Sequence, residues 1–193
     1  MYKIFCLTGK SSVGKDTLSE MLLRVPELGL RRFVLYTTRP RRPDETDGEA
    51  YHFLTREALD ARVRERGAVE RRDYHTALGL WSYCTLPDEA PARSHRLAVT
   101  PLPALAAYRE HFGAEVLVPL YIETPDHLRL SRAIDRESRA PAPCYAEVCR
   151  RYLADERDFS PENLQNHGIT RAFVNTDLET CAKELTEYIQ AKM

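Results

Sequence analysis

The chain carries no surplus of charge of either sign: 28 basic residues stand against 29 acidic ones in 193, a formal net charge of −1 at pH 7. A field that would draw the whole protein onto nucleic acid or an anionic lipid surface is therefore missing, and any basic site must be local. No stretch approaches the roughly 18 to 20 apolar residues of a membrane span. The opening MYKIFCLTGK is too short in its apolar part, and too soon followed by Gly and Lys, for a signal peptide. The expectation is a cytoplasmic protein with no nucleic-acid and no membrane partner. The 5 cysteines, Cys6, Cys84, Cys144, Cys149 and Cys181, form no CxxC pair and are odd in number. That pattern argues against a disulfide framework or a zinc site and for bland thiols. Internal repeats and low-complexity linkers are also lacking, and the length suits one domain with a substantial core.

What is present is an alternation. The apolar run of residues 2–8 stops at Gly9, as a buried strand would, and residues 16–25 then repeat apolar side chains at Leu18, Met21, Leu22 and Val25. Further short apolar runs lie at 33–36, 96–100, 115–122 and 172–175, with helical patterns at 105–111 and after Asn175. Strands alternating with helices imply parallel pairing by right-handed crossovers, hence an α/β fold with a doubly wound parallel sheet. Residues 37 to about 90 lack that rhythm, and residues 132–151 are dense in charge. Both read as insertions over the carboxyl ends of the strands, where open α/β sheets bind ligands. The APAP segment, 140–143, breaks a helix within the second insertion.

Residues 9–17 read GKSSVGKDT, the pattern Gly-x-x-x-x-Gly-Lys from Gly9 to Lys15 between a predicted strand and helix. In such a loop the backbone N–H groups of Gly9, Ser11, Ser12, Val13 and Gly14 and the helix N-terminus converge on phosphate, while Lys15 follows the transferring phosphoryl. The next position, where a hydroxyl normally meets Mg²⁺, holds Asp16, followed by Thr17. A second constellation, YTTRPRRPDETDGEAYHF at 36–53, brings two guanidiniums and a tyrosyl hydroxyl into one polar segment. Arg offers planar forks to phosphate oxygens, so the segment suits a terminal phosphate dianion; a solvated basic loop is the alternative.

The spacing of Thr37, Thr38, Arg39, Arg42, Glu45, Gly48, Tyr51 and Phe53 resembles the nucleoside-monophosphate region of guanylate kinases. The resemblance implies a P-loop NTPase-type fold with an inserted NMP-binding region at 36–90, a helical lid at 132–151 and a core of 1–35, 91–131 and 152–193. It implies transfer of phosphoryl from ATP, with Mg²⁺, to GMP or dGMP, in a monomer or homodimer. Arg39, Arg42 and Tyr51 would hold the acceptor phosphate. Glu70 would accept from guanine's N–H groups, and the aromatic role falls to Tyr74, Trp81 or Tyr83, of which Trp81 and Tyr83 read equally as core. Arg132, Arg136 and Arg151 resemble the lid arginines that meet charge on the γ-phosphoryl, and Asn175 resembles the adenine contact.

Three departures qualify the resemblance. Leu35 replaces a serine that often precedes the two threonines, the family's Gly-x-Tyr-Tyr-Gly segment survives only loosely in HTALGLWSYCT, and the strand at 96–100 ends in Thr100 where the family carries an acid. An acid in the loop and none on the strand suggest that the metal ligand has changed places, to Asp16. One carboxylate plus phosphate oxygens and waters suffices for Mg²⁺. Two other assignments stay open: a ribose 1,5-bisphosphate phosphokinase, whose loops often read Gly-Lys-Asp-Thr, and a non-catalytic interaction module of guanylate-kinase type.

Overall fold

A computed structural model describes residues 1–42, 45–76, 79–87 and 94–193. The central strand β1 (Ile4–Thr8) is buried throughout. It pairs in parallel with β7 (Arg96–Val99) on one side and β8 (Leu117–Glu123) on the other. β2 (Arg31–Arg32) and β9 (Ala172–Val174) complete a five-stranded parallel sheet in the order β2-β7-β1-β8-β9. Side chains of β1 alternate between two cores, as the period of two requires. Phe5 and Leu7 join Leu18 and Leu22 of α1 (Lys15–Leu23) and Leu185 and Ile189 of α7 (Leu178–Lys192). Ile4 and Cys6 face Leu105 and Tyr108 of α3 (Ala104–Phe112). Sandwiching by helices on both faces is the doubly wound arrangement expected.

The run at 33–36, expected as one strand, is divided between two sheets. Phe33 N–H still donates to Leu97 O at 2.8 Å in the first sheet, and its ring packs on Tyr108 and Phe112. Two residues later β3 (Leu35–Thr37) enters a second sheet, ordered β4-β3-β6-β5, with β4 (Tyr51–Phe53), β5 (Glu70–Thr76) and β6 (Gly79–Thr85). Apolarity marks burial but carries no record of which sheet receives it. The two threonines fasten this sheet: Thr37 Oγ1 donates to Ser82 O at 2.9 Å and Ser82 N–H to Thr38 Oγ1 at 2.8 Å. One face packs on α2 (Arg56–Arg66), where Tyr36, Leu59, Cys84 and Leu86 form a small core.

α4 (Asp126–Ser138) and α5 (Tyr145–Asp158) flank the APAP segment, which interrupts the helices as expected. The divisions expected at 35/36, 131/132 and 151/152 fall inside β3, α4 and α5, and that at 90/91 lies outside the described residues. Charge density marks the exposed stretch of a helix rather than its ends. A short α6 (Pro161–Asn166) leads to β9. All five cysteines are free, and among the described residues no helix is long and apolar enough to cross a membrane.

Candidate active site

The glycine loop sits at the carboxyl end of β1, and two of its glycines are required there. Gly9 has φ +153° and a Cβ on it would lie 2.4 Å from Ile122 O; Gly14, at φ +93°, would meet Asn175 Nδ2 at 2.5 Å. Between them Ser12 adopts φ 63°, an uncommon conformation for a residue with a side chain. The loop is braced from behind. Asn175, 1% exposed, donates through Nδ2 to Val13 O at 2.7 Å, while Thr124 Oγ1 donates to Asn175 O at 3.1 Å. Asn175 thus spends its amide nitrogen on the loop, and among the described residues its buried Oδ1 has no partner.

Lys15 opens α1 and folds back on the loop, donating to Gly9 O and Lys10 O at 2.7 Å each. Burial pushes its ammonium down to about 8, partly opposed by the charges of Asp16 and Asp155. Ser11 N–H donates to Asp155 Oδ2 at 2.8 Å, so an anion-binding amide already holds a carboxylate from α5. That carboxylate is anchored by Arg129, 2% exposed, which also binds Asp126 Oδ1 at 2.7 Å and Glu156 and lies 4.0 Å from the centre of the Tyr152 ring. Lys10 reaches Glu156 at 2.7 Å.

The three expected lid arginines are placed differently. Arg136 lies near enough for its charge to act on Lys15, and Arg132 Nη2 lies 3.5 Å from Asn175 O. Arg151 is turned along its own helix to Glu147 Oε1 at 2.7 Å. A cavity of about 190 Å³ nevertheless joins Arg136 and Arg151 to Ser11 and Ser12. Asp16 and Thr17 are exposed in the first turn of α1. Among the described residues the Asp16 carboxylate accepts no hydrogen bond, and its charge acts on both Lys15 and the Tyr51 hydroxyl.

Tyr51 belongs to the wall made by the second sheet. Arg39, 6% exposed, forks onto Glu45, with Nη1 to Oε2 at 2.7 Å, and lies 5.1 Å from the Tyr51 ring centre. Glu45 also accepts from Arg42 N–H at 2.9 Å, and the Arg39 guanidinium holds its carboxyl at about 2. The Arg42 side chain itself is exposed. From Tyr51 a chain of contacts runs along the sheet: Tyr51 to Tyr83 with ring centres 5.8 Å apart, Tyr83 to Tyr74 at 5.7 Å, and Tyr74 Oη to Arg72 Nη1 at 3.3 Å. Arg72 Nε then binds Glu70 Oε1. Glu70 retains 9% side-chain exposure, its buried Oε2 has no partner among the described residues, and burial raises its carboxyl against the pull of Arg72.

Register explains the shared face. Glu70, Arg72 and Tyr74 stand opposite Thr85, Tyr83 and Trp81, and alternation turns these six to one side. Arg71 takes the other side and binds Asp60 of α2 at 2.6 Å. Tyr83 is the ring joined to Tyr51, with Trp81 two pairs nearer the hairpin end. Sequence reasoning missed Arg72, Arg129 and Asp155 as members of the site, and assigned Glu45 no task. The i, i+2 spacing of Glu70 and Arg72 was a readable signal. No local pattern ties Ser11 to Asp155, 144 residues away.

The family model described as guanylate kinase matches residues 1–80. A guanylate kinase of Thermus thermophilus is 40% identical over 72 residues, which are 37% of this chain and 32% of that protein. One from Streptococcus agalactiae is 37% identical over 71 residues, 34% of its length. Those matches thus span about a third of the relatives' length. The crystal structure of guanylate kinase from Anaplasma phagocytophilum superimposes with a TM-score of 0.65 over 99% of this chain and 86% of that one; at 19% identity it speaks for the fold. The guanylate kinase of Symbiobacterium thermophilum is 30% identical over 194 residues, 98% of this chain and 85% of that protein, and on that near-complete match the chain belongs to the guanylate kinase family.

Proposed function

We propose that the protein transfers the γ-phosphoryl of ATP to GMP, or dGMP, by direct in-line displacement without a covalent protein intermediate. The observation that carries this is that a glycine loop and the Arg39–Tyr51 wall both lie within reach of the Asp16 charge. The second sheet with α2 serves as the acceptor-binding region and the α4–α5 pair as the lid.

Loop amides from Gly9 to Thr17 cradle the donor phosphates once Asp155 has released Ser11, and Lys15 turns from the Gly9 and Lys10 carbonyls to the phosphoryl in transit. Arg39, Arg42 and Tyr51 hold the acceptor phosphate in line, with Glu45 fixing the guanidinium of Arg39. Arg132, Arg136 and Arg151 supply positive charge where the transition state gains negative charge. Asn175 keeps the loop in shape on the adenine side. Glu70 takes the base's N–H groups on its open oxygen, with Tyr83 and Trp81 beside it.

The donor set fits Mg²⁺: among the described residues Asp16 offers an exposed carboxylate free of hydrogen bonds, and one carboxylate beside phosphate oxygens and waters suits this ion. Asp16 would hold the ion, which supplies charge neutralisation between phosphate oxygens. Phosphorus NMR of ATP with GMP, dGMP, AMP, UMP or ribose 1,5-bisphosphate, each over a Mg²⁺ titration, tests the whole reading. GDP formation supports it; product only from the sugar bisphosphate, or no ATP consumption with any acceptor, overturns it. Asp16→Ser with unaltered Mg²⁺ dependence would remove the metal role alone.

A further inference from the structure

Arg72 is given no task by the mechanism above, yet it is the half-buried cation, 22% exposed, paired with the proposed base reader. Its Nε is taken by Glu70 Oε1 and its Nη1 by the Tyr74 hydroxyl at 3.3 Å. Among the described residues Nη2 makes no hydrogen bond, although it belongs to the same planar fork as Nε. On the carboxylate, Oε2 is likewise without a partner while the side chain is only 9% exposed. One open acceptor and one open charged donor therefore stand side by side on a wall that already leads, ring by ring, from the Arg39 phosphate end to Glu70.

Resting on the reading of the acceptor as a guanine nucleotide, we propose that Arg72 is a specificity-determining residue that donates from Nη2 to the base's 6-oxo oxygen while Glu70 Oε2 accepts from the adjoining ring N1–H. A 6-oxopurine presents N–H and C=O next to each other, in the order that complements carboxylate beside guanidinium. Adenine presents the reverse order, a ring nitrogen acceptor toward Glu70 and an amino donor toward Arg72, and leaves Glu70 Oε2 and Arg72 Nη2 without partners. A site built to hydrogen-bond a polar edge rejects the analogue that cannot return the bonds far more strongly than an apolar pocket rejects an extra group. The pair also explains how a carboxylate this buried stands on the wall as an anion: Arg72 supplies the neighbouring charge that burial demands.

Replacing one atom of the ligand isolates the new contact. In 6-thio-GMP the thiocarbonyl sulfur is a much weaker hydrogen-bond acceptor, whereas N1–H and the 2-amino group remain for Glu70. Steady-state kinetics with GMP and 6-thio-GMP, run on wild type, Arg72→Met and Arg72→Lys with thermal melts of each, gives the test. Wild type is expected to prefer GMP by roughly tenfold in kcat/KM, expressed in KM, the scale of a charge-assisted hydrogen bond weakened but not abolished. That preference should fall to near one in Arg72→Met. It should also fall in Arg72→Lys, whose ammonium can keep Glu70 paired but lacks the planar fork that places a second donor against the base. The Lys variant thus reports even where the Met variant fails to fold. A preference unchanged in the folded variants overturns the role of Arg72 and leaves the guanylate-kinase reading standing. Wild type that neither binds nor phosphorylates GMP overturns that reading instead.

Discussion

Replacing Glu45 by Gln removes a charge from the pair that orients Arg39 while keeping an acceptor for the Arg42 N–H. The carboxyl is held at about 2, against its ordinary 4.5, chiefly by its hydrogen bonds to Arg39. At ~1.4 kcal/mol per pH unit that corresponds to roughly 3 kcal/mol favouring the ionised fold. The Glu45 side chain retains 19% exposure, so solvent screening brings the expected loss to about 1–2 kcal/mol at pH 7. The sign follows from linkage. A depressed carboxyl stabilises above its unfolded value, so the gap between wild type and variant should stay constant down to about pH 4.5 and close as pH falls toward 2. Urea unfolding at several pH values from 7 downward measures it. The same variant should raise KM for the acceptor more than KM for ATP, since Arg39 loses the partner that holds its fork beneath Tyr51. A gap below about 0.3 kcal/mol at pH 7, or equal effects on both substrates, would refute Glu45 as the organiser of the phosphate wall.

Four further outcomes follow from the loop. Lys15 loses its proton as pH rises through about 8, so kcat/KM for ATP should fall about tenfold per pH unit beyond that point; a profile flat to about pH 9.5 would contradict it. By the same linkage Lys15 adds stability to the unliganded fold as pH rises from about 8 to 10.5, because the unfolded chain then binds the extra proton. Asp155→Asn should tighten ATP binding about tenfold by calorimetry, because it removes a negative charge seated on the Ser11 amide; the Coulomb term at ~4 Å and an effective dielectric near 20 is about 4 kcal/mol, and movement of α5 returns most of it. Unchanged or weaker binding would mean that Asp155 positions the lid instead of blocking the loop. Gly9→Ala should lower stability by roughly 2–4 kcal/mol in denaturant melts, since its Cβ would lie 2.4 Å from a backbone carbonyl that cannot yield; a cost under about 0.5 kcal/mol would show that β1 shifts freely.

Much of this was legible locally. The alternation of Ile4 and Cys6 against Phe5 and Leu7 follows from strand geometry, and the strand, glycine loop and helix from 4 to 23 lie where pattern alone puts them. Glu70 and Arg72 share a face because residues two apart on a strand must. The division of the 33–36 run was not legible, since Phe33 and Leu35 are equally apolar and only their packing partners differ. Charge density at 132–151 did not mark a structural unit, because α4 and α5 continue through its ends as helices whose inner faces carry Arg129 and Val148.

By itself the sequence determined the parallel α/β framework, the glycine loop with an acid at Asp16, and the spacing of the arginines and tyrosine at 36–53. Each is a matter of short-range geometry, where the distance along the chain sets the distance in space. Only the tertiary structure decided that Asn175 braces Val13, that a carboxylate 144 residues distant sits on the Ser11 amide, and that Arg129 is buried to hold it there. Those contacts form because crossovers bring the carboxyl ends of β1, β8 and β9 to one edge, and a buried charge accepts whichever partner the packing delivers.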